Sequence, residues 1–248
     1  MDVVPLEILG LAAVAFLGAL VFGITGFGSA LVTIPLSTFL VPLPFALAMF
    51  SLLDLTNALR VGLEDPKNAV RSEWMRMLPT ILAGTVLGVT LLVNLPRKAA
   101  MLALAAFIIA MGVSTFARGG AARTIGRGWA YLAGLGGGLT STLFGAGGPP
   151  YAIYLSRRGL TKEQYRATLG RCTILSISMR VVAFIASGLL LDWRVWLTAL
   201  FVFPGSWLGI TLATRMFHRM SRELLMRIVA LGLLATGTSL AVRALLLP

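Results

Sequence analysis

Two charged residues lie inside long apolar stretches, where a charge is costly and usually functional. Arg180 is followed by eleven uncharged residues, so its side chain cannot easily reach water. A guanidinium in this position suits a sulfonate, sulfite or carboxylate, to which it donates two parallel hydrogen bonds. Asp54 lies equally deep in an apolar segment. We expect Asp54 to pair with Arg180, and the alternative is that its carboxylate takes up a proton. The pair is therefore either part of an anion site or a structural ion pair.

Two glycine-rich segments interrupt apolar stretches at corresponding places in the two halves of the chain, Gly23–Gly28 (GITGFG) and Gly145–Pro150 (GAGGPP). Glycine lets the backbone leave a helix and approach a ligand. A helix that restarts after such a break presents free N–H groups and the positive end of its dipole, which favour an anion. Hydroxyl groups beside the breaks add donors, and the prolines suit the first helical turn. We therefore predict an anion site between the breaks. Its candidate substrate-binding residues are Thr25, Gly26, Phe27, Gly28, Ser29, Gly145, Ala146, Gly147, Gly148 and Arg180.

The same residues allow plainer interpretations. The glycines would also serve tight helix packing, or form ordinary turns between two crossings. Asn57 and Arg171, together with Asp54, are candidates for coupling or for ion pairing. Arg171 lies closer to a predicted helix end, from which it could reach the membrane interface. Asn57 would be explained equally well by a hydrogen bond between helices.

The composition requires a membrane environment for these segments. Of the 248 residues, 58% are hydrophobic and 12% are charged, whereas soluble domains carry about a quarter charged residues. Backbone groups in lipid must pair within helices or closed barrels, and the long continuous apolar runs favour helices. The net charge of +12 comes from clusters between these runs, which is typical of cytoplasmic loops and not of a nucleic-acid surface. A single cysteine and a single histidine predict no disulfide framework, and we expect no metal or cofactor.

Glycine, proline and charge clusters divide the chain into ten helical segments. The predicted segments are 5–22, 28–41, 44–62, 73–93, 98–117, 128–143, 149–157, 165–190, 193–215 and 222–246. Each half contains a glycine-broken pair followed by three longer segments, and the halves superpose with a shift of about 120 residues. We therefore predict one integral membrane domain with a first repeat (1–117), a cytoplasmic linker (118–127) and a second repeat (128–248).

Basic loops predict the orientation of these segments. Arginine and lysine residues cluster in four predicted cytoplasmic regions, residues 67–76, 118–127, 157–166 and 215–222. This places both termini on the outer side, with Arg97 and Lys98 as the discordant loop. An odd number of crossings per half makes the second repeat inverted, an architecture that many secondary transporters share. Each broken pair is either a re-entrant hairpin or two short crossings.

The glycine motifs also resemble those of a known family. Residues 23–36 resemble the first signature of the sulfite exporter TauE/SafE family of membrane transporters, and residues 144–150 followed by Ala167 and Thr168 resemble the second. One position departs from the pattern, because Tyr154 stands where Pro35 stands in the first half. The resemblance implies secondary transport, usually export, of sulfite or small organosulfur anions across a bacterial inner membrane.

The predicted function is therefore secondary transport of a small anion by a protein embedded in the lipid bilayer, and homo-oligomerisation stays open. The alternatives are an anion channel, or an intramembrane enzyme or membrane subunit of a larger complex. No Walker A or HExxH motif is present. We therefore predict that the protein is not an enzyme.

Overall fold

The computed structural model describes residues 5–94 and 124–217, together with positions 96, 99, 102, 103, 105, 106, 109, 110, 113, 238, 241 and 242. This part of the chain is helical and contains no strand. Its eight α-helices are α1 (Pro5–Thr25), α2 (Ser29–Ser37), α3 (Leu43–Gly62), α4 (Arg71–Asn94), α5 (Trp129–Phe144), α6 (Gly148–Leu155), α7 (Lys162–Ala186) and α8 (Trp193–Phe217). A short 3₁₀ turn, Pro66–Asn68, precedes α4.

Eight of the ten predicted segments correspond to these helices. Two helices end four residues earlier than predicted: α7, predicted to reach residue 190, ends at Ala186, and α2, predicted to reach residue 41, ends at Ser37. The N–H groups of Leu40 and Val41 both donate to the Ser37 carbonyl, closing a turn before Pro42. The predicted segments 98–117 and 222–246, and most of the predicted linker 118–127, lie outside the described residues.

Five of the eight helices in the described part of the chain are long and apolar enough to cross a membrane. They contain the segments Leu6–Thr25, Leu43–Gly62, Arg71–Leu92, Glu163–Ala186 and Trp193–Met216. Large apolar side chains are exposed along the outer faces of α4 and α8, including Leu82, Val86, Leu200 and Leu208. Such faces are unfavourable in water and suit the hydrocarbon of a bilayer. The chain is an integral membrane protein.

The first two helices form an antiparallel hairpin. A Cβ atom at Gly18 would touch Ser29 and Thr33, and a Cβ atom at Gly10 would touch Leu40. Helix α2 therefore runs back along α1. Its 9 residues extend only about 14 Å, less than half of the hydrocarbon thickness of about 30 Å.

Helices α5 and α6 form a second hairpin of the same kind. A Cβ atom at Gly137 would overlap the ring of Tyr151, and one at Gly147 would lie 2.8 Å from Cβ of Ser141. Helix α6, with 8 residues, is again too short to cross a bilayer alone.

Each hairpin packs against a long helix from the other half. Helix α1 packs along α8, α5 packs along α4, and α3 packs against α7 between them. Glycine makes these approaches close: a Cβ atom at Gly205 would lie 2.5 Å from the carbonyl oxygen of Ala12, and a Cβ atom at Gly88 would lie 3.0 Å from that of Leu139. Small residues at such contacts let backbones approach and are typical of membrane helix packing.

The far end of α6 is held by a buried carboxylate. Glu73, at the start of α4, accepts hydrogen bonds from the Tyr154 hydroxyl (2.5 Å) and from Arg158 Nη2 (3.0 Å). Arg158 also donates to the carbonyl of Ile125 (2.6 Å). The hydrogen bond to Glu73 raises the pKa of the Arg158 guanidinium, so this group stays charged. Tyr154, the departure from the family pattern, thus ties the second hairpin to α4.

Candidate functional site

The turn of the first hairpin is built by glycine and a threonine. Gly26 and Gly28 have φ values of 77° and 88°, a left-handed conformation that residues with a Cβ adopt only at a cost. The Thr25 hydroxyl donates to the carbonyl of Val21 (2.8 Å) and accepts from the N–H of Phe27 (3.1 Å). The hydroxyl therefore supplies the N–H of Phe27 with a hydrogen-bond partner at the break.

The second hairpin turns at Gly145, which has a φ of 71°. The N–H of Ala146 donates to the carbonyl of Thr140 (3.1 Å), as in a left-handed helix C-cap. Helix α6 then starts at Gly148, with Pro149 and Pro150 as its second and third residues. Because proline has no N–H, this helix start offers fewer amide donors than α2 does.

The tips of the two hairpins touch each other. A Cβ atom at Gly148 would overlap Phe27, and a Cβ atom at Gly145 would lie 2.7 Å from Cβ of Ala30. The same atom at Gly145 would lie 3.1 Å from Nη1 of Arg180. The two breaks, about 120 residues apart in sequence, thus share one location in the protein.

A small cavity of about 20 Å³ lies at this contact. It is lined by Phe22, Phe27, Gly28, Ser29, Ala30, Asp54, Ser141, Gly145, Gly147, Gly148, Tyr151, Thr173, Ser176 and Ile177. Such a volume holds about one water molecule. An anion of several heavy atoms would need the surrounding hairpins to separate.

Arg180 and Asp54 form a buried ion pair beside the cavity. Nη2 of Arg180 lies 3.0 Å from Oδ2 of Asp54, and the two side chains are 1% and 4% exposed. Nη1 of Arg180 donates to the carbonyl of Ser141 (3.0 Å). Asp54 lines the cavity and Arg180 does not. In this conformation, therefore, the guanidinium is bound to protein groups behind the cavity wall.

The structure brings together most of the residues that the sequence predicts for the site. Phe27, Gly28, Ser29, Gly145, Gly147 and Gly148 line the cavity, whereas Thr25, Gly26 and Ala146 lie in the turns beside it.

Of the predicted coupling residues, only Asp54 lines the cavity. Asn57 donates to the hydroxyl of Ser206 (2.9 Å) and so links α3 to α8. Arg171 is partly buried on α7 and does not line the cavity. Arg60, the sequence counterpart of Arg180, donates to Thr211 (3.0 Å).

Sequence reasoning did not assign seven of the lining residues to the site: Phe22, Ala30, Ser141, Tyr151, Thr173, Ser176 and Ile177. The signal for the α7 residues was the spacing of Thr173, Ser176, Ile177 and Arg180, which places them on one face of a helix. Tyr151 could have been suggested by its position immediately after the two prolines.

A small cavity between two short hairpins within a bundle of membrane-spanning helices is typical of polytopic membrane transporters. The model of the sulfite exporter TauE/SafE family matches residues 11–240, and the chain belongs to this family. It is also similar to the probable inner membrane transporter protein TsaS of Comamonas testosteroni, with 26% identity over 168 residues, which cover 66% of this chain and 69% of that protein. No solved structure matches the chain.

Proposed function

We propose that the protein is a secondary transporter that exports a small sulfur oxyanion, such as sulfite or an organosulfonate, across the bacterial inner membrane. The observation that carries the proposal is the contact between the two hairpin tips, where a small cavity is lined by serine, threonine and glycine residues. Amide and hydroxyl donors favour an anion. The family and the inner-membrane relative support the transported class and the location.

The proposed architecture is an inverted repeat, with residues 1–117 and 128–248 as its halves and both termini outside. Two observations support it. The contacts between α1 and α8 have a counterpart in those between α5 and α4. Helices α3 and α7 run in opposite directions, because Gly62 approaches Gly170 while Asp54 pairs with Arg180.

Alternating access follows from this arrangement. Each hairpin packs on a helix from the other half, so rocking of one unit against the other would open the cavity to one side at a time. Substrate would lie between Gly26–Ser29 and Gly145–Gly148. Arg180 would contribute its charge there and would exchange Asp54 for the anion when the site opens.

Reconstitution of the purified chain in liposomes tests the proposal. We expect saturable flux of labelled sulfite or sulfoacetate and counterflow driven by unlabelled anion, measured with and without a proton gradient. Thiosulfate and short carboxylates define the selectivity. A conductance that does not saturate and shows no counterflow would instead indicate a channel, and inactivity of the purified chain would indicate a subunit of a larger complex.

A further inference from the structure

Among the described residues, four donors and one acceptor at the cavity are buried without a hydrogen-bond partner. The donors are the hydroxyls of Ser141, Tyr151 and Ser176 and Nε of Arg180, and the acceptor is Oδ1 of Asp54. The five residues are at most 3% exposed. A buried donor without a partner loses its hydration and regains nothing from the protein. Four such groups at one location indicate a ligand that is absent from this conformation.

The three hydroxyl residues line the cavity itself. Tyr151 and Ser176 face each other, and even a hydrogen bond between them would leave one hydroxyl proton free. The ring of Tyr151 lies directly on Gly137, where a side chain would overlap it, so the position of its hydroxyl is defined by packing. Ser176 is close to Gly147, where a Cβ atom would lie 3.1 Å from Oγ. These donors are therefore pre-organised, which reduces the cost of binding.

The hydroxyls lie near the start of α6, where the backbone offers few N–H donors. Pro149 and Pro150 remove two of the N–H groups that the start of α6 would otherwise present. The first hairpin has no proline in the first turn of α2 and has one cavity-lining hydroxyl, that of Ser29. Side-chain donors thus replace amide donors in the second hairpin.

We propose that Tyr151, Ser176 and Ser141 form the oxyanion subsite of the transport site, and that Tyr151 determines specificity by donating to one oxygen of a three-oxygen sulfur head group. This inference rests on the proposed function. Three hydroxyl donors match the three oxygens of a sulfite or sulfonate, whereas a carboxylate has only two oxygens to accept them. Arg180 does not line the cavity; it supports the subsite through its positive charge and through its Nε donor.

Tyr151→Phe is the decisive variant, because it removes one hydroxyl and keeps the packed ring. In proteoliposomes we expect the KM for sulfite and sulfoacetate to rise about tenfold or more, as for a lost hydrogen bond to a charged group. The maximal rate should change less. Ser176→Ala and Ser141→Ala should act in the same direction. Tyr131→Phe is the matched control, since Tyr131 is 50% exposed on α5, and it should leave KM unchanged.

Thermal stability separates a binding role from a structural one. Removing a buried hydroxyl that has no partner should leave the melting temperature of the unliganded protein unchanged or higher, while the stabilisation by sulfite decreases. An unchanged KM in all three variants would overturn the subsite and leave transport intact. A wild type that moves none of these anions would overturn both the subsite and the proposed function.

Discussion

Phe27 packs directly against Gly148, so the turn of the first hairpin touches the first residue of the second short helix. This contact closes the cavity between the hairpins and would have to loosen for an anion to enter. The space around Gly148 is therefore a sensitive point of the proposed transport cycle.

Gly148→Ala should abolish most of the transport, because the added methyl group overlaps Phe27 and forces the hairpin tips apart. We expect flux in proteoliposomes to fall by at least about tenfold, the effect of roughly 1.4 kcal/mol on the barrier. Gly126→Ala is the control, since a Cβ atom there meets nothing within 4 Å. Equal flux in the two variants would show that the tip contact has no role in transport.

Arg180→Lys should impair transport more than expression. The charge is kept, but a lysine cannot donate simultaneously in the fork geometry that now reaches Asp54 and the Ser141 carbonyl. Flux per amount of purified protein is the measurement, and the exposed Arg127→Lys is the control. Uptake equal to that of the wild type would remove Arg180 from the proposed mechanism.

Asp54→Asn should destabilise the protein, because it leaves the charge of Arg180 buried without a counter-ion. Breaking a buried ion pair costs about 3–5 kcal/mol, which corresponds to a decrease in melting temperature on the order of 10 °C for a chain of this size.

The double variant Asp54→Leu with Arg180→Met separates the two roles of the pair. Apolar residues that replace a buried ion pair are often neutral for stability, so the melting temperature should largely recover while transport does not. Recovery of both properties would mean that the ion pair is only structural.

Arg158→Gln should loosen the second hairpin at its far end. Glu73 would lose its charged partner while remaining 4% exposed, at a cost of about 2 kcal/mol for hydrogen bonds to a charged group. The neighbouring Arg157→Gln is the control, because both hydrogen bonds described for Arg157 use its backbone. Thermal unfolding in detergent should show the decrease for position 158 and not for position 157.

Cysteine labelling tests the proposed orientation. The native Cys172 is fully buried and should not react. A membrane-impermeant maleimide should label Asp192→Cys from the outside of intact cells, and Gly126→Cys only in inverted vesicles. Labelling of both positions from the same side would contradict the predicted crossing of α7 and with it the proposed orientation of the second half.

Local signals in the sequence were sufficient for the helices. Long apolar stretches predict membrane helices, and glycine, proline and charge clusters end them, so the eight described helices and the position of both glycine turns follow from neighbours in the chain. The prediction of a site at the two turns rests on the same kind of signal, since a left-handed glycine and a restarting helix are local features.

Only the tertiary structure decided which groups meet. The contact of Phe27 with Gly148, the position of Tyr151 in the cavity and the ion pair of Glu73 with Arg158 each join residues far apart in the chain. The pairing of Arg180 with Asp54 is the exception, because the sequence predicts it from two charges deep in apolar segments, whereas the bond of Arg60 to Thr211 was not predicted. Such contacts depend on how whole helices pack, and a pattern of neighbouring residue types carries little information about the partner across the bundle.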